Sequence, residues 1–196
     1  MGVPAAQAQT RRRLVQGALG VAVAAGAATF ELPGAAGATP SPAQDRRILA
    51  FALQLEYEMA AFYAAALRAG RLRGELRRFA EVAAEHERQH VKALRGALGV
   101  HAPAAPQFSF GREVTDPRRF AAASIALEEA AVGAYNGQAA NLTRAALAPA
   151  LEIVSVDARH AAWIRSLADK APAPRAADPA RDASAVAATF RRIGRR

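Results

Sequence analysis

Acidic residues and histidines recur in a spacing that could bind metal ions. The chain contains two copies of an isolated Glu followed by an acid-x-x-His pair, namely Glu56 with Glu87 and His90, and Glu128 with Asp157 and His160. An acid three residues before a His puts both side chains on one face of a helix. One Glu from each of two helices, with an acid-x-x-His pair from each of the other two, is the arrangement of a dinuclear carboxylate centre. The pattern therefore predicts a site for two metal ions.

The ligand types indicate which metals these are. The chain contains no cysteine, so thiolate metal sites and disulfides are excluded. Carboxylates combined with imidazole suit iron or manganese better than a two-metal zinc site. Few protein ligands per ion leave open positions for O₂ or peroxide. We therefore expect two iron or manganese ions, which would support two-electron oxidation or the sequestration of iron.

Each acid lies where an apolar residue is expected. Glu56, Glu87, Glu128 and Asp157 fall on the apolar stripes of their predicted helices, at steps of three and four residues from Leu, Ile, Ala and Phe. Burying one unpaired carboxylate costs several kcal/mol, whereas a whole domain is stable by only about 5–15 kcal/mol. Four buried carboxylates therefore need compensation, and a pair of divalent cations would provide it.

Four long helices are predicted to carry these residues. A capping box begins at Ser41, with Pro42 at the first helical position. Asp116 is the predicted N-cap of another helix, which begins at residue 117. The abundance of alanine favours helix throughout. We predict an all-α domain at 39–170, followed by a basic Pro/Ala/Arg-rich tail at 171–196. The predicted helices of the domain lie at 42–69, 74–98, 117–138 and 146–169. A short helix is predicted in the tail at 183–193.

The lengths of the connections predict how the helices pack. Short links after the first and third helices make antiparallel hairpins. The link at 99–116 can span about 55–60 Å when extended, whereas a 25-residue helix is only about 37 Å long. This link can therefore cross the whole bundle and leave the second and third helices parallel. Two antiparallel hairpins joined by one long crossover form a ferritin-like four-helix bundle.

An internal repeat relates the two helix pairs. The segment around Glu56 recurs 72 residues later, and the pair Glu87-x-x-His90 recurs 70 residues later as an Asp-x-x-His pair. The repeat predicts approximate two-fold symmetry, with equivalent residues facing each other across the axis.

Four segments, LEYEMAAFY, EHERQHVKAL, ALEEAAVGAY and VDARHAAWIR, resemble in order the exported ferritin-like domain family that includes desiccation-related proteins. The resemblance covers about residues 47–167. The roles that it implies are terminal carboxylates at Glu56 and Glu128, bridging carboxylates at Glu87 and Asp157, and one imidazole per ion at His90 and His160.

Asp157 departs from the family pattern, which has Glu at this place. Asp is one methylene shorter, so the resemblance implies that Asp157 either fails to bridge or leaves the second ion more weakly held. Tyr63, Tyr135 and His86 are predicted to lie behind the ligands, with the two tyrosines serving as core aromatics rather than in redox chemistry.

Two other interpretations stay open. The segment His86-Glu87-x-x-His90 also matches the H-E-x-x-H helix of zinc proteases, but the extended form of that motif needs Gly and His where Ala93 and Gly96 stand. It also leaves the second repeat unexplained. The other interpretation is a bundle that has lost its metal and pairs its acids with His or Arg, as a structural or stress-related scaffold. Fold alone does not choose between these functions.

The first 38 residues have the order of an export signal. Arg11 and Arg12 precede an apolar, Gly- and Ala-rich stretch at 14–30, and an A-x-A cleavage pattern ends at Ala38. The paired arginines resemble a twin-arginine signal, which implies that the twin-arginine machinery exports the folded protein to the periplasm, the cell envelope or the medium. An uncleaved anchor is the alternative, although the stretch is a poor membrane span.

The net charge of +9 is concentrated at the two ends of the chain. Residues 1–38 carry +2 and residues 171–196 carry +4, which leaves +3 for the body at 39–170. Such a dispersed charge is typical of a solvated surface, so we expect no nucleic-acid partner. The sequence leaves homo-oligomer formation open.

Overall fold

The computed structural model describes residues 39–194, which fold into five α-helices. The predicted export signal, including Arg11, Arg12 and the cleavage point after Ala38, lies outside the described residues. The helices are α1 (Pro42–Ala69), α2 (Gly74–Leu98), α3 (Pro117–Gln138), α4 (Arg144–Leu167) and α5 (Ala183–Ile193). Within residues 39–194, no helix combines the length and the apolar character that crossing a lipid bilayer requires.

The first four helices form the predicted bundle of two antiparallel hairpins. The hydroxyl of Thr143, just before α4, donates to Asp45 in the first turn of α1 at 2.6 Å, so these two helices start at the same end. At the opposite end, Phe120 near the start of α3 packs edge-on against Tyr63 near the end of α1. Helices α2 and α3 therefore run parallel, which confirms the predicted topology.

The crossover between α2 and α3 lies against α1. It contains two short 3₁₀ turns, at Gly99–His101 and Gly111–Val114. The hydroxyl of Tyr57 on α1 donates to the carbonyl of Pro103 at 3.1 Å. Further along, the ring of Phe110 packs edge-on against Phe62 at 5.4 Å. The crossover is thus held against α1 at these two places, and its second 3₁₀ turn also contacts α3.

Helix α4 differs from its predicted bounds by one half-turn at each end. It begins at Arg144 rather than 146 because the carboxylate of Asp45 accepts both the backbone N–H and the hydroxyl of Thr143. It ends at Leu167 rather than 169, and Asp169 has a left-handed φ of 55°. The start is set by a contact from another helix, which the local sequence does not reveal.

The C-terminal tail packs back onto the bundle. Helix α5 buries Val186, Phe190 and Ile193, and it lies against α3. The segment before it, residues 171–182, is called the strap below, and the backbone N–H of Arg181 in the strap donates to the carbonyl of Gly133 at 2.8 Å. The strap and α5 therefore cover a face of α3 that a four-helix bundle would leave open.

Candidate metal centre

All six predicted ligand residues meet in the middle of the bundle. Helix α1 supplies one acid, α3 supplies one acid, and α2 and α4 each supply an acid with a histidine one turn later. The four carboxylates are fully buried, and the two histidines are exposed by 7% or less; the residues are Glu56, Glu87, His90, Glu128, Asp157 and His160. Side chains that a solvated surface would normally keep in water are thus collected in the core.

Their ligand atoms form two overlapping groups, each within 4.8 Å. The first group is Glu56, Glu87, His90 and Asp157, and the second is Glu87, Glu128, Asp157 and His160. Glu87 and Asp157 belong to both groups, which is the arrangement expected of carboxylates between two ions. The shorter side chain of Asp157 therefore does not confine it to one group.

Most of these ligand atoms lack hydrogen bonds. Among the described residues, the buried atoms without a hydrogen-bond partner include Glu56 Oε2, Glu87 Oε1, Glu128 Oε2, both Asp157 carboxylate oxygens and His160 Nδ1. Buried polar atoms are normally paired, and unpaired carboxylates are costly. Lone pairs of hard oxygen and imidazole nitrogen that converge without donors suit divalent cations, so the residues present fit the metal pair that the pattern predicts.

The two histidines turn the same ring nitrogen toward the carboxylates. His90 Nδ1 lies 3.0 Å from Glu87 Oε2 and 3.4 Å from Glu56 Oε2. His160 Nδ1 lies 3.2 Å from Glu87 Oε1 and 3.5 Å from Glu128 Oε1. Each imidazole therefore faces one unshared Glu and the shared Glu87, and His90 Nδ1 also lies 3.5 Å from Asp157 Oδ1. Because the repeat pairs Glu87 with Asp157, an exact two-fold would place His160 beside Asp157, so the contacts are symmetric only in part.

Each of the two tyrosines near the centre donates a hydrogen bond to a carboxylate on the other tyrosine's helix. The hydroxyl of Tyr135 on α3 donates to Glu56 on α1 at 2.9 Å. The hydroxyl of Tyr63 on α1 donates to Glu128 on α3. Each tyrosine thus orients the unshared carboxylate of the opposite helix. Burial raises the pKa of both tyrosines well above its ordinary value, and the neighbouring carboxylates add to the rise, so both hydroxyls stay protonated as donors.

The four carboxylates do not ionise alike. Burial raises the pKa of Asp157 and of Glu87 well above the ordinary values, and the charges of the other acids raise it further. Burial also opposes ionisation of Glu56, but hydrogen bonds from His90 and Glu87 outweigh it and lower the pKa. Burial opposes charge on His90 as well, yet the adjacent Glu56 raises its pKa. Without metal, the cluster therefore holds protons to limit its charge.

His86 contacts the centre from behind His160. Its Nδ1 lies 2.9 Å from His160 Nε2, and the two rings are nearly coplanar, with centroids 5.2 Å apart. Burial lowers the pKa of His86, and the charges of His160 and His90 lower it further. A zinc-protease helix needs His86 and His90 on one ion, but neither ligand group contains His86. The structure therefore does not place His86 and His90 in one ligand group, as the zinc-protease interpretation requires.

An aromatic wall beside the centre was not singled out from the sequence. Phe79 is fully buried and packs edge-on against His160 and Tyr63, with centroids at 6.2 and 5.7 Å. Trp163 lies edge-on behind Phe79 at 5.4 Å. The only sequence signal for Phe79 is its place on the apolar stripe of α2. The wall thus packs against the second ligand group through His160.

Comparison with known proteins gives one informative match. The family model described as ferritin-like domain matches residues 44–170, which is more than half of the chain and includes all six ligand residues. A search of the curated proteins gave no significant match.

Proposed function

Because the chain belongs to the ferritin-like domain family, we propose that it binds two iron or manganese ions in the centre of its bundle. The observation that carries the proposal is the pair of overlapping ligand groups that share Glu87 and Asp157. Carboxylate oxygens and one imidazole per ion favour these metals over softer ones. Glu87 and Asp157, the two shared carboxylates, would help to hold both ions, as in other two-metal sites.

The chemistry of the proposed site follows from its surroundings. Two such ions, when bound, would supply two-electron redox chemistry toward O₂ or peroxide, or would hold iron in store. Tyr63 and Tyr135 keep the unshared carboxylates oriented, since each donates to one of them. Phe79 packs against His160 on one side of the centre. Glu87 and Asp157, whose pKa values are raised, release protons when an ion binds.

A metal-free bundle is the second candidate function, and one observation favours it. The raised pKa values of Glu87 and Asp157 let the cluster neutralise itself by taking up protons. The contact between His90 and Glu56 provides a further internal partner. A scaffold of this kind would act in stress protection through its surface rather than through its core.

Export through the twin-arginine machinery is part of the proposal and rests on the sequence of residues 1–38. This route transports folded proteins, so it would allow the metals to be loaded before export. The mature protein would begin at residue 39, in the periplasm, the cell envelope or the medium. Mass spectrometry of the protein from intact cells checks this, and an N-terminus that still includes Arg11 would contradict cleavage.

Metal analysis of the purified chain distinguishes the two candidate functions. After reconstitution with Fe(II) or Mn(II) without oxygen, we expect two ions per chain by elemental analysis. Glu87→Ala should lose both ions, because Glu87 belongs to both ligand groups. Glu81→Ala is the matched control, since Glu81 lies on the same helix, is exposed and pairs with Arg77. Absence of metal from the unaltered chain would support the metal-free scaffold.

A further inference from the structure

The internal repeat is broken at one place beside the metal centre. The offset of 70 that aligns Glu87 with Asp157 also aligns His86 with Val156. Both positions are partly buried, on α2 and α4 respectively. His86 has a ring with a hydrogen-bonding nitrogen, whereas the side chain of Val156 has no polar atom. The two halves of the centre are therefore chemically unequal just behind the ligands.

The contact between His86 and His160 bears on the tautomer and the ring orientation of His160. Nδ1 of His160 faces Glu87 and Glu128 and, among the described residues, has no hydrogen-bond partner. A neutral imidazole that offers a lone pair on Nδ1 carries its proton on Nε2. That Nε2 lies 2.9 Å from Nδ1 of His86, so in this tautomer His160 donates and His86 accepts. The two rings are inclined by only 15°, so they lie nearly coplanar and meet edge to edge, and this contact restrains the orientation of His160.

Resting on the proposed metal binding, we propose that His86 is a positioning residue for His160, and that it makes the position formed by Glu128 and His160 hold its ion more tightly than the position formed by Glu56 and His90. A hydrogen-bonding partner behind a metal-bound histidine selects the tautomer and makes the ligand more basic, and its loss typically lowers metal affinity by about 10–100-fold.

The order of affinities is the reverse of the one that the short side chain of Asp157 implied. Asp157 belongs to both ligand groups, so its shorter side chain does not remove it from either position. The tyrosine donors are likewise one per position. The two positions also differ behind the imidazoles, where His160 has His86 and Phe79. At the equivalent place behind His90, the repeat puts Val156.

Three substitutions test the inference in the full chain. His86→Val introduces the residue that the other repeat has. His86→Asn keeps an acceptor close to the place of Nδ1, because the side-chain amide of Asn extends about as far as that nitrogen. His101→Val is the matched control, since it removes an exposed histidine in the crossover. Titration with Co(II) under anaerobic conditions, followed by its visible absorption and by calorimetry, resolves the two binding steps.

The unaltered chain should bind two ions in unequal steps, and His160→Ala should remove the tighter one. His86→Val should weaken that step by about 10–100-fold and leave the other unchanged. His86→Asn should recover most of the loss, and His101→Val should match the unaltered chain. Equal steps in the unaltered chain, or unaltered steps in His86→Val, would overturn the inference while leaving metal binding intact.

A second measurement uses the metal-free protein. In ¹⁵N NMR spectra of the imidazoles, His160 should carry its proton on Nε2, and His86→Val should shift this nitrogen toward a mixture of the two tautomers. A His160 tautomer that does not respond to His86→Val removes the positioning role. If the unaltered chain binds no Co(II), Fe(II) or Mn(II) at all, the proposed function fails together with the order of affinities, and the NMR result then reports only on the contact between the two rings.

Discussion

At the scale of single residues, the centre depends on hydrogen bonds that cross between helices. Tyr135 and Glu128 share helix α3, yet the hydroxyl of Tyr135 donates to Glu56 on α1. A tyrosine that oriented the acid of its own helix would fix only a local geometry. Because the donors are crossed, each unshared carboxylate is held by the opposite half of the bundle, and the spacing between the halves sets the geometry of the ligands.

Tyr135→Phe should therefore destabilise the metal-free protein. The substitution keeps the ring and removes the donor to the buried Glu56 at 2.9 Å, and a buried acceptor left unpaired costs about 1–3 kcal/mol. Chemical denaturation of the two proteins measures this loss in the free energy of unfolding. In the background of Glu56→Leu the same substitution should cost little, because no acceptor remains. An equal cost in both backgrounds would show that the hydroxyl acts elsewhere.

The six ligand residues could be predicted from the sequence because each of them interrupts or extends an apolar stripe in a chain with no cysteine. Their assembly into two overlapping groups could not be predicted in the same way. Whether Asp157 reaches both groups depends on how far α4 is rotated about its axis. The contact of His86 with His160 depends on the relative height of α2 and α4, which no pattern within one helix reports.

At the scale of helices, four of the five ranges follow from local signals. Ser41 accepts from the backbone N–H of Gln44 at 3.2 Å, and Asp116 accepts from two N–H groups at the start of α3. These caps, and Gly70 in the left-handed conformation at the end of α1, begin and end the helices where the sequence predicted. The contact between the strap and α3 had no such signal. This contact joins a segment with no helical pattern to two glycines of α3, about 45 residues earlier in the chain.

Gly137 should be intolerant of a side chain. A Cβ at this position would lie 2.5 Å from the backbone oxygen of Arg181 in the strap, and a backbone atom cannot move aside without displacing the segment. Gly137→Ala should therefore lower the free energy of unfolding by about 1–3 kcal/mol and make the strap more sensitive to limited proteolysis. Chemical denaturation and mass analysis of the fragments measure the two effects.

Gly96→Ala is the matched control for this substitution. Gly96 lies inside α2, and a Cβ there would meet nothing within 4 Å. Replacement of an open helical Gly by Ala stabilises by about 1 kcal/mol, so the two substitutions should have opposite signs. A Gly137→Ala protein as stable as Gly96→Ala would mean that the strap does not hold α3 in solution.

At the scale of the whole molecule, the bundle concentrates charge that only protons or metals can balance. Four fully buried carboxylates from four helices meet at one place. Burial between the packed helices therefore opposes the ionisation of these four carboxyl groups. The free energy of unfolding depends on pH through them.

The metal-free protein should become less stable as the pH rises above about 4. Glu87 and Asp157 have raised pKa values when folded, so the folded state binds more protons than the unfolded one between the ordinary pKa of a carboxyl, about 4, and the raised values. Their stabilising contribution is complete below that window and is lost as the pH rises through it. The raised pKa of His90 acts in the same direction from about pH 6.5. The lowered pKa of Glu56 acts the other way, but only at acidic pH.

Bound metal should reverse this trend. Binding requires deprotonated carboxylates and releases protons, and it stabilises only the folded state. The difference in Tm between the metal-loaded and metal-free chains should therefore widen steadily between pH 5 and 8, as followed by calorimetry at constant ionic strength. In Glu87→Gln, which cannot ionise at this position, the metal-free protein should lose less stability over the same range. A metal-free chain whose Tm rose with pH across this window would show that the four acids are not buried together in solution.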